Sequence, residues 1–188
     1  ASEGSLATAL SFPGREPGTL GQHVYRLHHE PEVFGLRPIP STSLQLLHIA
    51  AHLDVIDRRI RPLISDGSTV LLDRYWWSTW VYGVVGGAER RVLEAMIDLE
   101  RSYWGSLAPL SIFVVKRTAP LRGESLTDQW RQLVDGYAAL AIAEAAGPPI
   151  HSISNDGQLD DAVAQVMRVI RDETASFTHS QTGKRGLI

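Results

Sequence analysis

Three short runs of this chain place charged residues where a reacting phosphate could be held. The first is Phe12-Pro13-Gly14-Arg15-Glu16-Pro17-Gly18-Thr19-Leu20-Gly21, in which Arg15 follows an apolar run and precedes a Gly-rich turn into a helical pattern. A guanidinium beside a helix N-terminus suits an anion, because its planar fork donates in parallel and the helix end adds partial positive charge. The same run also reads as an ordinary strand-to-helix turn with a surface arginine. The second is Asp73-Arg74-Tyr75, followed by Ser78, Thr79 and Tyr82. A charged pair directly after a buried strand is costly unless it is matched or faces a ligand, and the three hydroxyls can share a helical face. A structural ion pair at a sheet edge is the alternative. The third is Lys116, Arg117 and Arg122 in the polar connection 116–127. Basic groups on a loop over a site can stabilise charge on a transferring phosphoryl group, and the segment also reads as a solvated basic loop.

His48 and His52 form a further pair, at i and i+4 of one helical pattern. That spacing can chelate zinc, but no third ligand stands at a familiar offset, so no metal site is expected.

Short apolar runs alternate with long helical patterns, which implies an α/β fold with a parallel sheet. Strands are expected at 6–12, 69–72, 110–115 and 150–154, and helices at 21–29, from Ser41 or Ser43 to about 66, and at 90–103, 128–146 and 159–172. Ser41 or Ser43 can cap the second helix, which carries Leu44, Leu47, Ala51, Val55, Ile56 and Ile60 as an apolar stripe. Residues 31–40 hold three prolines and read as loop. One domain is expected over 1–175, with 116–127 as a lid-like connection and 176–188 as a flexible tail.

The bulk properties narrow the function. The 188 residues contain no cysteine, which rules out disulfides and thiolate metal sites. A net charge of −3 supplies no global field toward nucleic acid or anionic membrane, so any phosphate site must be local. No apolar run approaches the roughly 20 residues of a membrane span. The sequence opens on Ala1 and not on Met, without a basic segment followed by an apolar one. A cytoplasmic protein is expected, cut from something longer.

Taken in order, Phe12-Pro13, Arg15-Glu16-Pro17-Gly18, Leu20-Gly21, Leu46-Leu47, Asp73-Arg74-Tyr75 with Ser78-Thr79 and Tyr82, and Gly136-Tyr137-Ala138-Ala139-Leu140-Ala141 resemble the thymidylate kinase family. The resemblance spans nearly the whole chain. It implies a three-layer fold of the P-loop nucleotide kinase type, with a parallel sheet and helices on both faces. The implied activity is transfer of the ATP γ-phosphate to a (deoxy)nucleoside monophosphate, with ATP and Mg²⁺ as donor and cofactor and a homodimer as the assembly. By the same resemblance Arg15 and Arg74 hold the acceptor phosphate, with Asp73 and Ser78 beside them. Thr79 and Tyr82 line the nucleoside, and Arg117 and Arg122 belong to the lid. His48 and His52 stand where the family presents a base-stacking aromatic and a base-binding arginine, and Gly83 replaces its glutamine. No G-x-x-x-x-G-K-[ST] loop occurs among the 188 residues. The expectation is therefore that the family's first strand and ATP loop lie upstream, in about 30 residues. The alternative is a degenerate kinase-fold module that binds nucleotide or assembles without catalysis.

Overall fold

The computed structural model describes residues 7–14, 16–120 and 128–183, with side chains up to Asp172. Arg15 and Arg122 therefore lie outside the described residues. The chain divides into two compact units, Ala1–Ala108 and Pro109–Ile188.

In the first unit, β1 (Ala7–Ser11) and β2 (Thr69–Asp73) run parallel, paired from Ala7 with Thr69 to Ser11 with Asp73. The helices are α1 (Leu20–His29), α2 (Ser41–Val55), α3 (Arg61–Ser65), α4 (Trp76–Val85) and α5 (Arg90–Trp104). Helix α2 is the hub, packing on α1, α4 and α5. Leu10, Phe12, Val55, Ile56, Ile60 and Trp104 form a buried cluster under the strands, with Val70, Leu72 and Tyr75 against it. Burying each such side chain stabilises the fold by about 1.5–3 kcal/mol.

Local chemistry fixes the element ends. Thr19 is extended and its hydroxyl accepts from the Gln22 N–H at 3.2 Å, capping α1. The Glu89 carboxylate accepts from the N–H groups of Arg91 and Val92, capping α5. The expected serine cap of α2 is not formed. Pro40 is the capping residue, without a side-chain bond, and Ser41 is already helical. Thr42 serves a tertiary tie instead, its hydroxyl accepting from the Glu89 N–H at 2.9 Å. Past Val55 the helix widens into a π-helical stretch, Ile56–Ile60, before α3. The wider turn keeps both Ile56 and Ile60 in the core.

In the second unit, β3 (Ile112–Lys116) and β4 (Ile150–Ser154) pair in parallel, Ile112 with Ile150 through Lys116 with Ser154. Helix α7 (Leu159–Gly183) packs on β4. It runs well past Asp172, where the sequence pattern ended it, because no proline or glycine intervenes before Gly183. Helix α6 (Asp128–Ala143) lines a groove of about 410 Å³ with Val114, Ile150 and Ser152 of the sheet. The fold is thus α/β with parallel strands between helices, as the sequence pattern implies.

Candidate acceptor site

Phe12 leaves β1 and its N–H donates to the Asp73 carbonyl at 2.9 Å. The Ser11 hydroxyl donates to the Asp73 carboxylate at 3.3 Å. The two sequence runs that carry Arg15 and Arg74 therefore leave the sheet from one hydrogen-bonded junction. On the α1 side the loop is clasped by the helix start. A Cβ on Gly21 would lie 1.8 Å from the Pro13 carbonyl oxygen and 2.3 Å from that of Gly14, so only glycine fits. The Leu20 N–H donates to Asp54 of α2 at 3.2 Å, fixing that helix end.

Arg74 stands at the end of β2 with φ +72°, in the left-handed region that a side chain makes unfavourable. Such a conformation costs of order 1–3 kcal/mol and persists only where the surroundings over-determine it. It turns the guanidinium over the Tyr82 ring, 5.6 Å from its centroid, and leaves Arg74 exposed. A cation on an aromatic face keeps its N–H edge available to an anion. Tyr82 is itself 43% exposed, so both groups are accessible to a ligand. Ser78 is half-buried and its N–H donates to the Tyr75 carbonyl, whereas Thr79 is buried on the inner side of α4.

His48 is half-buried on α2. Its Nε2 lies 3.3 Å from Nδ1 of His28 on α1, with the rings edge to face. Burial first, then the neighbouring His52, His28, Arg74 and His29, push its pKa down to about 3. The Arg74 cation is thus one of the groups that disfavour a proton on His48. His48 is neutral at physiological pH and can stack or hydrogen-bond without adding charge.

His52, one turn on, has different company. It is buried, its Nδ1 lies 3.0 and 3.1 Å from the two Glu100 carboxylate oxygens, and its ring stacks on Phe12 at 4.0 Å and 10°. Sequence reasoning missed Glu100 altogether. The available signal was its place on α5: Leu93, Met96, Ile97, Glu100 and Trp104 form one buried stripe, with an acid in its middle. Gly83, where the family pattern has glutamine, is also explained by packing. A Cβ there would meet Leu93 at 2.8 Å, because α4 and α5 approach closely.

In the second unit Arg117 turns toward its own loop, Nε donating to the Ala119 carbonyl at 3.4 Å. The Asp156 carboxylate accepts from the Thr118 N–H and hydroxyl at 2.6 and 2.9 Å, which ties the start of the connection to the turn after β4. Those hydrogen bonds hold the Asp156 carboxyl below the usual range. Among the described residues no set of three His, Asp or Glu side chains could hold a metal ion.

Parallel strands and connecting helices together define an α/β protein. A thymidylate kinase from Symbiobacterium thermophilum is 31% identical over 145 residues, covering 69% of this chain and 65% of that protein. One from Nitrobacter winogradskyi is 32% identical over 144 residues, covering 68% and 60%. The solved thymidylate kinase from Ehrlichia chaffeensis superposes with a TM-score of 0.66 at 19% identity, covering 88% of this chain and 80% of that one. No family model matches the sequence. The chain is thymidylate kinase-like in sequence and fold, and it spans less than two thirds of the length of those two relatives.

Proposed function

We propose that this chain carries the acceptor half of a nucleoside monophosphate kinase, which passes the ATP γ-phosphate to a (deoxy)nucleoside monophosphate. The observation that carries the reading is Arg74, held in a left-handed backbone beside the Phe12–Asp73 junction with its cation over Tyr82. Strain of this kind concentrates at functional sites. In this reading Arg74, with Arg15, grips the acceptor phosphate through bidentate N–H donation. Asp73 limits the rotation of the turn, Tyr82 offers an apolar face to the sugar or base, and neutral His48 stacks or hydrogen-bonds at the base. Thr79, being buried, acts through the packing of α4, and Ser78 stands at the start of that helix.

ATP and Mg²⁺, which the relationship implies, find no match in the residues present. The sequence holds no phosphate-cradling G-x-x-x-x-G-K-[ST] loop, and the described residues hold no metal-binding cluster. Both would be bound by a segment outside this sequence. The tests are titration with the common nucleoside monophosphates and an ADP-release assay on the chain extended upstream. Arg74→Ala should weaken monophosphate binding at least tenfold, in line with loss of a charge-assisted hydrogen bond. Unchanged affinity in that variant overturns the reading. The commitment of His52 to Glu100 favours a second reading, a nucleotide-binding module without catalysis. Binding retained without ADP release from the extended chain would select it.

A further inference from the structure

Glu100 is fully enclosed, yet no reading of the acceptor site uses it. Its two carboxylate oxygens lie 3.0 and 3.1 Å from His52 Nδ1, which assigns the ring proton to that nitrogen. His52 in turn is flat against Phe12, with ring centroids 4.0 Å apart at 10°, and Trp104 closes on Phe12 at 6.0 Å. Phe12 is no ordinary core residue, because its N–H is bonded to the carbonyl of Asp73, one residue before the strained Arg74. An unbroken chain of contacts therefore runs from a carboxylate on α5, through an imidazole on α2, to the junction from which Arg74 departs.

A buried acid–imidazole pair is a poor device for stability. Well-packed apolar residues of the same volume are often equally or more stable, and in some proteins such pairs serve to fix one arrangement against others. A flat ring held in one tautomer and one orientation does that for Phe12. Resting on the kinase reading above, we propose that Glu100 is a positioning residue that acts through His52 and Phe12 to hold Arg74 where it grips the acceptor phosphate. Glu100 itself touches no substrate. In that reading the effect falls on the phosphate, since the nucleoside is met by Tyr82 on α4 and His48 on α2.

The phosphate dependence supplies the test. The four deoxynucleoside monophosphates are titrated into the full chain, and the tightest binder is compared with its own nucleoside. The wild-type chain should prefer the monophosphate. Glu100→Gln, which keeps the volume but weakens the hold on His52, should lower that preference at least tenfold while nucleoside affinity stays within twofold. A double variant, His52→Leu with Glu100→Leu, should melt at the wild-type temperature or above and still lose the preference. Rescue of the preference by Glu100→Asp, with its carboxylate restored, would support the same assignment. An unchanged preference in Glu100→Gln overturns the positioning role and leaves the kinase reading standing. Parallel loss of both ligands also overturns it, because the pair would then be structural only. No preference in the wild-type chain defeats the kinase reading itself, and this inference with it.

Discussion

The two units are built to different standards of enclosure. Among the described residues, the first unit buries fifteen apolar side chains, including Trp76, Trp77 and Trp104. The second buries four: Val114, Leu140, Ile153 and Ala162. Its Leu110 and Ile142 are 75% and 78% exposed, and α6 stands off the sheet across an open groove. Preorganisation needs side chains whose rotamers are locked by neighbours. The first unit meets that requirement in the core behind the Phe12–Asp73 junction, whereas Leu110 and Ile142 of the second stand open. The difference teaches which unit is packed tightly enough to hold a rigid site, and it can be attacked by mutation.

The largest effect is expected at the buried pair. His52→Ala strands the Glu100 carboxylate in the core and should destabilise the chain by about 3–5 kcal/mol in denaturant unfolding. A loss under about 1 kcal/mol would show that Glu100 does not depend on His52 for its burial. Gly21→Ala comes next. Its methyl group collides with the Pro13 and Gly14 carbonyls, backbone atoms that cannot step aside, so a cost of about 3 kcal/mol is expected.

The same truncation in each unit sharpens the contrast. Ile56→Ala, in a fully enclosed site, should cost about 4 kcal/mol. Ile153→Ala, beside a sheet that can relax into open space, should cost about 2 kcal/mol. Equal costs by equilibrium unfolding would refute the claim that the units differ in packing.

A pH series tests the burial of His48. Its folded pKa, about 3, lies below the ordinary histidine value of 6.5, so the unfolded chain binds the extra proton first as pH falls. The contribution of His48 is therefore fully present above about pH 6.5 and is lost progressively between there and about pH 3. His48→Phe should flatten the decline of stability in that window and leave stability above pH 7 nearly independent of pH at this position. An identical slope in the variant would show that the ring is hydrated. The smallest effect belongs to Arg131→Ala. Its exposed pair with Asp128 should contribute no more than about 0.5 kcal/mol, readable as a shift of unfolding midpoint near the detection limit.

Much of the fold was legible because it follows from local pattern. The β-branched and leucine runs gave β2 and β4 almost to the residue, and α5 and α1 were found within a residue at each end. The serine cap of α2 failed because Pro40 takes the capping position and the helix already begins at Ser41. The end of α7 was placed early because apolar periodicity fades before the helix does. At the site, Arg74 and Tyr82 were readable as a strand-end cation and a helical hydroxyl, and the structure sets one over the other. The left-handed backbone of Arg74 was not readable, since a non-glycine residue carries no local signal for it. His48 and His52 looked equivalent, four residues apart on one helix. Only the surrounding helices distinguish them, giving one a half-open setting beside His28 and the other an enclosed carboxylate. Arg15 and Arg122 lie outside the described residues, and so does the expected convergence of Arg15 with Arg74.

The strained backbone at Arg74 places two selective pressures in opposition. Replacement by glycine or asparagine would relax the left-handed conformation, so a library sorted for thermal resistance alone should drift toward those residues at this position. A library sorted for capture of a phosphorylated ligand should keep the arginine and accept the strain. Sequencing the two selected pools would show, from allele frequencies alone, whether this lineage has been maintained for what it holds or only for its fold.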